Sequence, residues 1–372
     1  MRSSRKSILA AYVAALLVVQ PVFAQFKNAV PGYRFEFPRD YFSHPDFQTE
    51  WWYYTGNVRA ADGHEFGFEL TFFRHAVAPE PSGKTPWAVR DIYLAHFAVS
   101  DLSSAKFLYQ ERTNRAGPGL AGADDTRRRV WNGNWSIEWR EDSEQLSAVA
   151  DNFALNLVLR SRKPPVIHGE NGVSQKSAEP GRASHYFSET RLAADGSIRI
   201  AARSYPVNGL AWMDHEFFTQ QLAPGQSGWD WLSLQLDDNT ELMLFRIRRK
   251  DGSLDAFSAG TLVDAQGRAR HLAAQDFQFV PVAQDARDTY RSDRTGAVYP
   301  LRWTVRIPSL QLALTVSTPL AAQELAGDSA STRITPSYWE GAVRCEGTRD
   351  ARAIRGSGYL ELTGYDRPVE MR

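Results

Sequence analysis

The sequence predicts an all-β protein of two antiparallel barrels in tandem, and three observations carry that expectation. Helical periodicity is hard to find anywhere in the 372 residues. Alternating or aromatic runs of five to nine residues recur instead, each bounded by Gly, Asp or Asn. Short strands at regular spacing with turn signals between them read as sandwiches or up-and-down barrels. The pattern also occurs twice, and a chain of this length is expected to divide into two domains.

The first element is a leader. Arg2, Arg5 and Lys6 precede an apolar stretch from Ile8 to Val19, and Val22 and Ala24 sit where a signal peptidase expects small side chains. That is the layout of a secretory signal peptide over residues 1–24. The stretch is shorter than the roughly 20 apolar residues that cross a bilayer, Pro21 follows it, and no cysteine stands ready for lipid attachment. The expectation is a periplasmic or secreted protein, cleaved near Ala24, with no membrane span afterwards.

Strands are then expected at runs such as Glu50–Thr55, Glu65–Phe73 and Ile92–Val99 in one half, and Trp231–Leu236, Glu241–Arg248 and Gly358–Leu362 in the other. Asp62-Gly63, Asp195-Gly196 and Asp251-Gly252 read as hairpin turns that tolerate positive φ, and a short helix is allowed around Pro319–Ala326. Asn114–Asp125 and Pro164–Arg182 are long loops, the second carrying His168, Asn171 and Lys176; loops of this length serve as lids, binding loops or disordered segments. Gln221–Gly228 reads as the junction, which gives domains over 33–220 and 228–368.

An internal repeat supports the division. Trp52-Tyr53-Tyr54 opens a segment ending at Phe73-Arg74, and Trp229-Asp230-Trp231 opens one ending at Phe245-Arg246. Val207–Asp214 matches Ile354–Glu361 in residue type at most positions, so Asp214 stands where the second copy has Glu361, and His215 where it has Leu362.

Three clusters could carry chemistry. Asp214-His215-Glu216 lies among aromatics; buried titratable groups of this kind act as general acids and bases, or else brace an interface by hydrogen bonds. In Glu50-Trp51-Trp52-Tyr53-Tyr54, alternation puts Glu50, Trp52 and Tyr54 on one face and Trp51 and Tyr53 on the other. If the first face lines a lumen, Glu50 is either raised in pKa or paired with an arginine. In Trp229-Asp230-Trp231 the two indoles oppose Asp230, and either side could face a cavity. His96, between apolar neighbours on a strand, is a core group or a ligand contact.

Composition narrows the classes. Lys and Arg number 43 against 43 Asp and Glu, and with Arg2, Arg5 and Lys6 removed the charge is −3, which argues against nucleic acid as a partner. Cys345 is the only cysteine, so no internal disulfide forms. Eleven tryptophans point to a wide apolar cavity. There is no Gly-x-Ser-x-Gly elbow, Walker sequence or HExxH, the histidines lack ligand spacing, and Asp237-Asp238-Asn239 reads as a turn rather than a calcium loop. Serine- or metallo-hydrolase chemistry has no support, and neither a metal nor another cofactor is expected.

Longer motifs carry a family resemblance. His44-Pro45-Asp46-Phe47-Gln48-Thr49-Glu50-Trp51-Trp52-Tyr53-Tyr54-Thr55-Gly56, Gly172–Lys176, Gly209–Glu216, Gly228–Trp231 and Arg355–Tyr365 together resemble the carotenoid 1,2-hydratase and AttH-like lipocalin family, often labelled predicted secreted hydrolases. The resemblance runs from about Tyr33 to the C-terminus. It implies two lipocalin-like barrels in tandem, a hydratase-type one first. It further implies action on apolar small molecules, such as water addition to an isoprenoid double bond, without a cofactor. Association of secreted members with membrane transporter components is implied as well. One departure is His185 in Ala183–Phe187, a strand that is tyrosine-rich in the family; His185 and Tyr186 are therefore candidate ligand contacts.

Hydration of an isolated alkene requires an acid that protonates carbon and a base that deprotonates water. Asp214, Glu50 or Asp230 could be an acid kept neutral by an apolar pocket, with His215 as base. Trp52, Trp212, Trp229 and Trp231 could form walls that steady positive charge, with Trp51, Tyr54 and His96 as further ligand contacts. Two functions follow from the same barrel. One is a hydro-lyase acting on an apolar lipid or isoprenoid molecule; the other is a non-catalytic periplasmic lipid carrier or transporter accessory. The first requires Asp214, His215 and Glu50 to converge on one cavity.

Overall fold

The computed structural model describes residues 25–81, 83–85, 87–327 and 337–369. The leader expected over residues 1–24 lies outside them. Among the described residues there is no α-helix, only 3-10 turns such as Arg39–Tyr41, and no helix is long and apolar enough to cross a membrane.

Two large antiparallel sheets account for most of the fold, with Thr289–Arg291 and Val298–Pro300 pairing as a separate two-stranded sheet. In the first, the opening strand Thr49–Ala60 lies between Glu65–Ala76 and the closing strand Arg203–Phe218. Beyond Glu65–Ala76 come Asp91–Asp101 and Lys106–Arg115. Beyond the closing strand come Ala183–Ile200, Phe153–Ser161, Glu144–Val149, Trp135–Trp139, Arg129–Asn132 and Ala121–Asp124. The two edges approach through an Ala116–Ala121 bridge and a 2.6 Å bond from Asn114 Nδ2 to Asn132 Oδ1, giving a nearly closed barrel. The second sheet repeats the plan: opening strand Gln226–Leu236 pairs with closing strand Arg352–Thr363, then Tyr338–Arg349, Leu312–Ser317, Arg302–Ile307 and Gln278–Pro281. Its other edge ends at Ala269–Ala273, unpaired with Gln278–Pro281, so this unit is a half-barrel.

Register sharpens the repeat. Trp52 faces His215 and Tyr53 faces Asp214 across the first pair of strands, while Asp230 faces Leu362 and Trp231 faces Glu361 across the second. The equivalent of Trp229 is therefore Trp51, not Trp52, and the equivalent of Trp231 is Tyr53. Matching Trp-containing triplets by residue type misplaces the opening strands by one position. In a strand that slip exchanges the two faces.

Both interiors are filled. Trp52, Phe97, Trp135, Phe153 and Phe187 pack inside the first unit, and Trp303, Tyr299, Trp339 and Leu360 inside the second. Each large apolar side chain buried this way contributes roughly 1.5–3 kcal/mol, so close-packed lumens hold the disulfide-free chain together. A third cluster, including Tyr53, Tyr186, Trp212, Trp231, Phe245 and Tyr359, lies on the outer faces where the units meet. Polar bonds tie them, among them Gln235 Nε2 to the carbonyls of Thr190 and Ala211 at 2.8 and 2.9 Å. Gly67 permits the closest approach: a Cβ there would lie 2.8 Å from Ala342 Cβ and from the Tyr359 hydroxyl.

Two local expectations are corrected. Asp195-Gly196 is not a hairpin turn but the middle of the long strand Ala183–Ile200. A Cβ on Gly196, whose φ is +155°, would lie 2.1 Å from the Asn156 carbonyl oxygen, so the glycine serves a close strand approach. The reversal comes later, at Ala201. Pro319–Ala326 holds no helix; Glu324–Leu325 pairs as a strand with Tyr338 and Trp339.

Candidate active site between the two units

A cavity of about 510 Å³ opens between the outer faces of the two sheets. The first unit contributes Trp51, Tyr53, Phe73, His96, Tyr186 and Asp214; the second contributes Trp229, Trp231, Phe245, Tyr338, Glu340 and Glu361. Strand alternation explains the set. Trp51 and Tyr53 point outward because Glu50, Trp52 and Tyr54 fill the first barrel, and Asp214 and Glu216 point outward because His215 points in. By register Tyr338 is the counterpart of Tyr186, since Tyr186 faces Glu216 and Tyr338 faces Thr363 on the closing strands. Two copies of one sheet face thus close on one space.

Asp214 is fully buried yet has no cation within ion-pair distance among the described residues. Uncharged donors hold it. Trp212 Nε1 donates to Oδ1 at 2.5 Å, the Ser188 hydroxyl donates to the same oxygen, and the Tyr186 hydroxyl donates to Oδ2 at 2.5 Å. Burial raises its pKa to about 7 against the pull of these three donors, with the nearby Glu216 adding to the rise. Behind Ser188 stands His168, its Nε2 2.7 Å from the Ser188 Oγ and its Nδ1 2.8 Å from Thr261 Oγ1 of the second unit. Burial keeps this imidazole neutral, far below its ordinary value. With Ser188 donating to Asp214, Nε2–H donates to Ser188 and Thr261 donates to Nδ1.

The opposite wall carries the matching acids. Glu361, bonded to Trp229 Nε1 at 3.1 Å, is raised by burial to about 8, with Glu69 and Asp214 adding to the rise. Glu340 accepts from the Tyr53 hydroxyl at 2.5 Å and is pushed well above the carboxylate range by burial and the charges of Glu69 and Glu361. Tyr338 donates to Glu69 Oε1 at 3.1 Å and lies 2.5 Å from His96 Nδ1. Burial raises Glu69 to about 7 and lowers His96 to about 4. The cavity is thus apolar, walled by aromatics, and lined by carboxyl groups that are neutral or on the edge of ionising at neutral pH.

The expected site residues divide. Trp51, His96, Tyr186, Asp214, Trp229 and Trp231 line the cavity, and Trp212 backs it through its bond to Asp214. Glu50, Trp52, Tyr54 and His215 lie inside the first unit, so Asp214, His215 and Glu50 do not converge on one space. Asp230 points into the second unit, where Arg246 lies 3.0 Å away, Arg248 binds its other oxygen and Tyr365 donates at 2.9 Å. His185 faces a separate hollow beside Tyr33 and His44, its Nδ1 2.6 Å from the Gly172 carbonyl. Tyr53, Lys176, Tyr338, Glu340 and Glu361 were not expected at the site. Three of them left a signal: Glu361 in its match to Asp214, Tyr53 in the face it shares with Trp51, and Lys176 in a loop long enough to bind.

Glu50 anchors a separate network. It accepts from Arg74 Nε at 3.0 Å, His44 Nδ1 at 2.7 Å, His215 Nε2 at 2.9 Å, Ser43 Oγ at 3.2 Å and the His44 backbone N–H at 3.0 Å. Burial alone would raise its pKa; Arg74, then His215 and His44, hold it well below the carboxylate range. Burial likewise lowers His215, to about 4. The donor atoms of His44, Glu50 and His215 lie within 4.8 Å of one another, the one set of this kind among the described residues that could hold a metal ion. A cation there would compete with the Arg74 guanidinium for the same carboxylate, so the trio fits a hydrogen-bond hub better.

Fold and site together define a two-unit lipocalin-like β-protein with an acid-lined apolar cavity at the seam. A model of the AttH-like family matches residues 28–365, and the chain belongs to that family. A crystallised AttH protein from Nitrosomonas europaea is 36% identical and superimposes with a TM-score of 0.79, over 91% of this chain and 100% of that one. Kievitone hydratase from Nectria haematococca shares the fold, with a TM-score of 0.67, 15% identity, and 92% and 98% of the two chains covered. The dehydratase asqC of Emericella nidulans is 23% identical over 280 residues, 74% of this chain and 77% of its own.

Proposed function

We propose that the seam cavity is the active site of a hydro-lyase that adds water to, or removes it from, a carbon–carbon double bond of an apolar small molecule. The observation that carries this reading is the pair of acids at equivalent positions of the two units. Asp214 sits at about 7 and Glu361 at about 8, both buried against aromatic walls. Staggered carboxyls of this kind provide a base and an acid in one site. Between these values Asp214 is ionised and can take a proton from water, while Glu361 keeps the proton that carbon receives. The dehydration direction uses them in reverse. Both values lie near neutral pH, where proton transfer is most effective. The hydratase and dehydratase activities that kievitone hydratase and the dehydratase asqC are named for, in proteins of shared fold or distant sequence kinship, support the same class. A volume of about 510 Å³ suits a small ligand.

The test is turnover of a panel of apolar unsaturated compounds in isotopically labelled water, read by mass. Asp214→Asn and Glu361→Gln are each expected to lower the rate by about 10²–10⁴-fold in protein of native melting temperature. The wild-type rate should fall on either side of a maximum between about pH 7 and 8. Unchanged turnover in both variants sinks the assignment. A carrier role is the second reading, favoured because Tyr53–Glu340, Tyr186–Asp214 and Tyr338–Glu69 already satisfy one another and leave ring faces for a ligand. A bound apolar molecule recovered unaltered after prolonged incubation is its expected sign. We place either activity outside the cytoplasm, on the leader-like residues 1–24.

A further inference from the structure

The described residues include two buried lysines, and they differ in one respect. Lys163 is saturated: its Nζ donates to Glu241 Oε2 at 2.7 Å and to the carbonyls of Asn239 and Asp264 at 2.6 and 2.9 Å. Lys176 lines the seam cavity, and its Nζ donates to Ser174 Oγ at 2.9 Å. Its Nζ stands 3.9 Å from the Phe245 ring centroid and 5.4 Å from that of Tyr186, and among the described residues no carboxylate lies within ion-pair distance. The backbone is pinned on both sides, Lys176 N–H to the Arg182 carbonyl at 2.9 Å and the Lys176 carbonyl to Gln226 Nε2 at 2.8 Å, so the side chain is aimed inward by design of the loop.

We propose that Lys176 is a carbonyl-capturing amine, whose ε-nitrogen condenses with the carbonyl group of an apolar aldehyde or ketone held between the two units. Burial lowers the lysine's pKa against the opposing charges of Glu216 and Asp214, which raises the share of the amine with a free lone pair. The amine adds to the carbonyl carbon, the resulting hydroxyl takes a proton and leaves as water, and a protonated C=N bond to Lys176 remains. This rests on the hydro-lyase reading and names its substrate class. An acid at about 8 is too weak to protonate an isolated alkene, whereas a double bond conjugated to a protonated C=N is electrophilic at its far carbon. Water, losing a proton to Asp214, adds there; the near carbon takes a proton from Glu361; a second water hydrolyses the C=N bond and restores the amine. The balance is an α,β-unsaturated carbonyl plus water giving a β-hydroxy carbonyl.

The experiment is reductive trapping of the whole protein with cinnamaldehyde and borohydride, read by intact mass and peptide mapping. The expected result is a single addition at Lys176, absent from Lys176→Arg and retained in Asp214→Asn. The exposed Lys27, Lys84, Lys106 and Lys250 provide the internal control in the wild-type chain, so the map decides even if the variant folds poorly. Addition confined to those four, or none at Lys176, overturns the proposal. So does unchanged hydration by Lys176→Met, an outcome that would leave the hydro-lyase reading standing. Trapping retained while Asp214→Asn and Glu361→Gln turn over normally would instead remove the hydro-lyase reading and leave a carbonyl-binding amine.

Discussion

Asp214 and His215 are neighbours in sequence and belong to two different electrostatic worlds. His215 joins Glu50 inside the first barrel, where Glu50 is met by Arg74, and Arg74 by Glu50 and Asp91. Asp214 faces the seam, where Glu69, Glu340, Glu361 and Glu216 are buried with it and hydroxyl and indole donors stand in for cations. Burial is complete in both regions, yet Glu50 is held ionised and the seam carboxyls are driven toward neutrality. The partner decides. The Arg74 guanidinium makes Glu50 a structural ion pair, while uncharged donors leave Asp214 a titratable acid.

Removing the charge from each region should separate them. Glu50→Gln leaves Arg74 buried with Asp91 at 3.1 Å as its remaining carboxylate. Breaking a buried pair on one side costs about 3–5 kcal/mol, and the surviving Asp91 contact points to the lower end. Chemical denaturation of the variant measures it; a loss below 1 kcal/mol would mean that the network is not what holds this end of the barrel.

The two regions should also respond oppositely to pH. Glu50 has a depressed pKa in the folded chain, so its contribution is present above the ordinary carboxylate range and is lost as pH falls through the folded value. Asp214 and Glu69 at about 7 and Glu361 at about 8 are raised. Their neutral forms favour folding below the unfolded carboxylate value, and that contribution is lost as pH rises through about 7–8. The melting temperature should therefore decline from mildly acidic to mildly alkaline pH and level off above about 8. Asp214→Asn should flatten part of that decline while shifting stability at acidic pH by only about 1 kcal/mol, since it orphans no cation. A melting curve rising steadily to pH 9 would contradict the seam assignment.

Strand alternation in the sequence separates Glu50, Trp52 and Tyr54 from Trp51 and Tyr53 correctly, and the structure keeps that split. What it could not tell was which face looks outward. Alternation marks a water-facing side only when one face is polar, and here the barrel core covers one face and the second unit the other. Period two also applies to Asp214-His215-Glu216. Treating the three as one cluster overlooked that adjacent strand residues cannot share a cavity. The all-β class and the duplication were legible because turn residues and repeated openings are local signals. Glu340 and Tyr338 were not, since their place depends on pairing with Glu361 and Thr363 far along the chain. Lys176 sits in a loop whose path no periodicity records.

The smallest effect tests the finest part of the comparison. The Tyr186 hydroxyl donates to Asp214 Oδ2 at 2.5 Å while accepting from Trp231 Nε1 at 3.2 Å, so it links an acid of one unit to an indole of the other. Donation to the carboxylate favours its charged form and opposes the rise caused by burial. Tyr186→Phe removes that donor, so the Asp214 pKa should climb and the acid limb of the pH–rate profile should move to higher pH. A hydrogen bond of about 1 kcal/mol corresponds to a shift of less than about one pH unit. The alkaline limb, set by Glu361 on the other wall, should stay in place. Movement of both limbs together would mean that the two acids titrate as one coupled pair, and the division of labour between the duplicated walls would have to be abandoned.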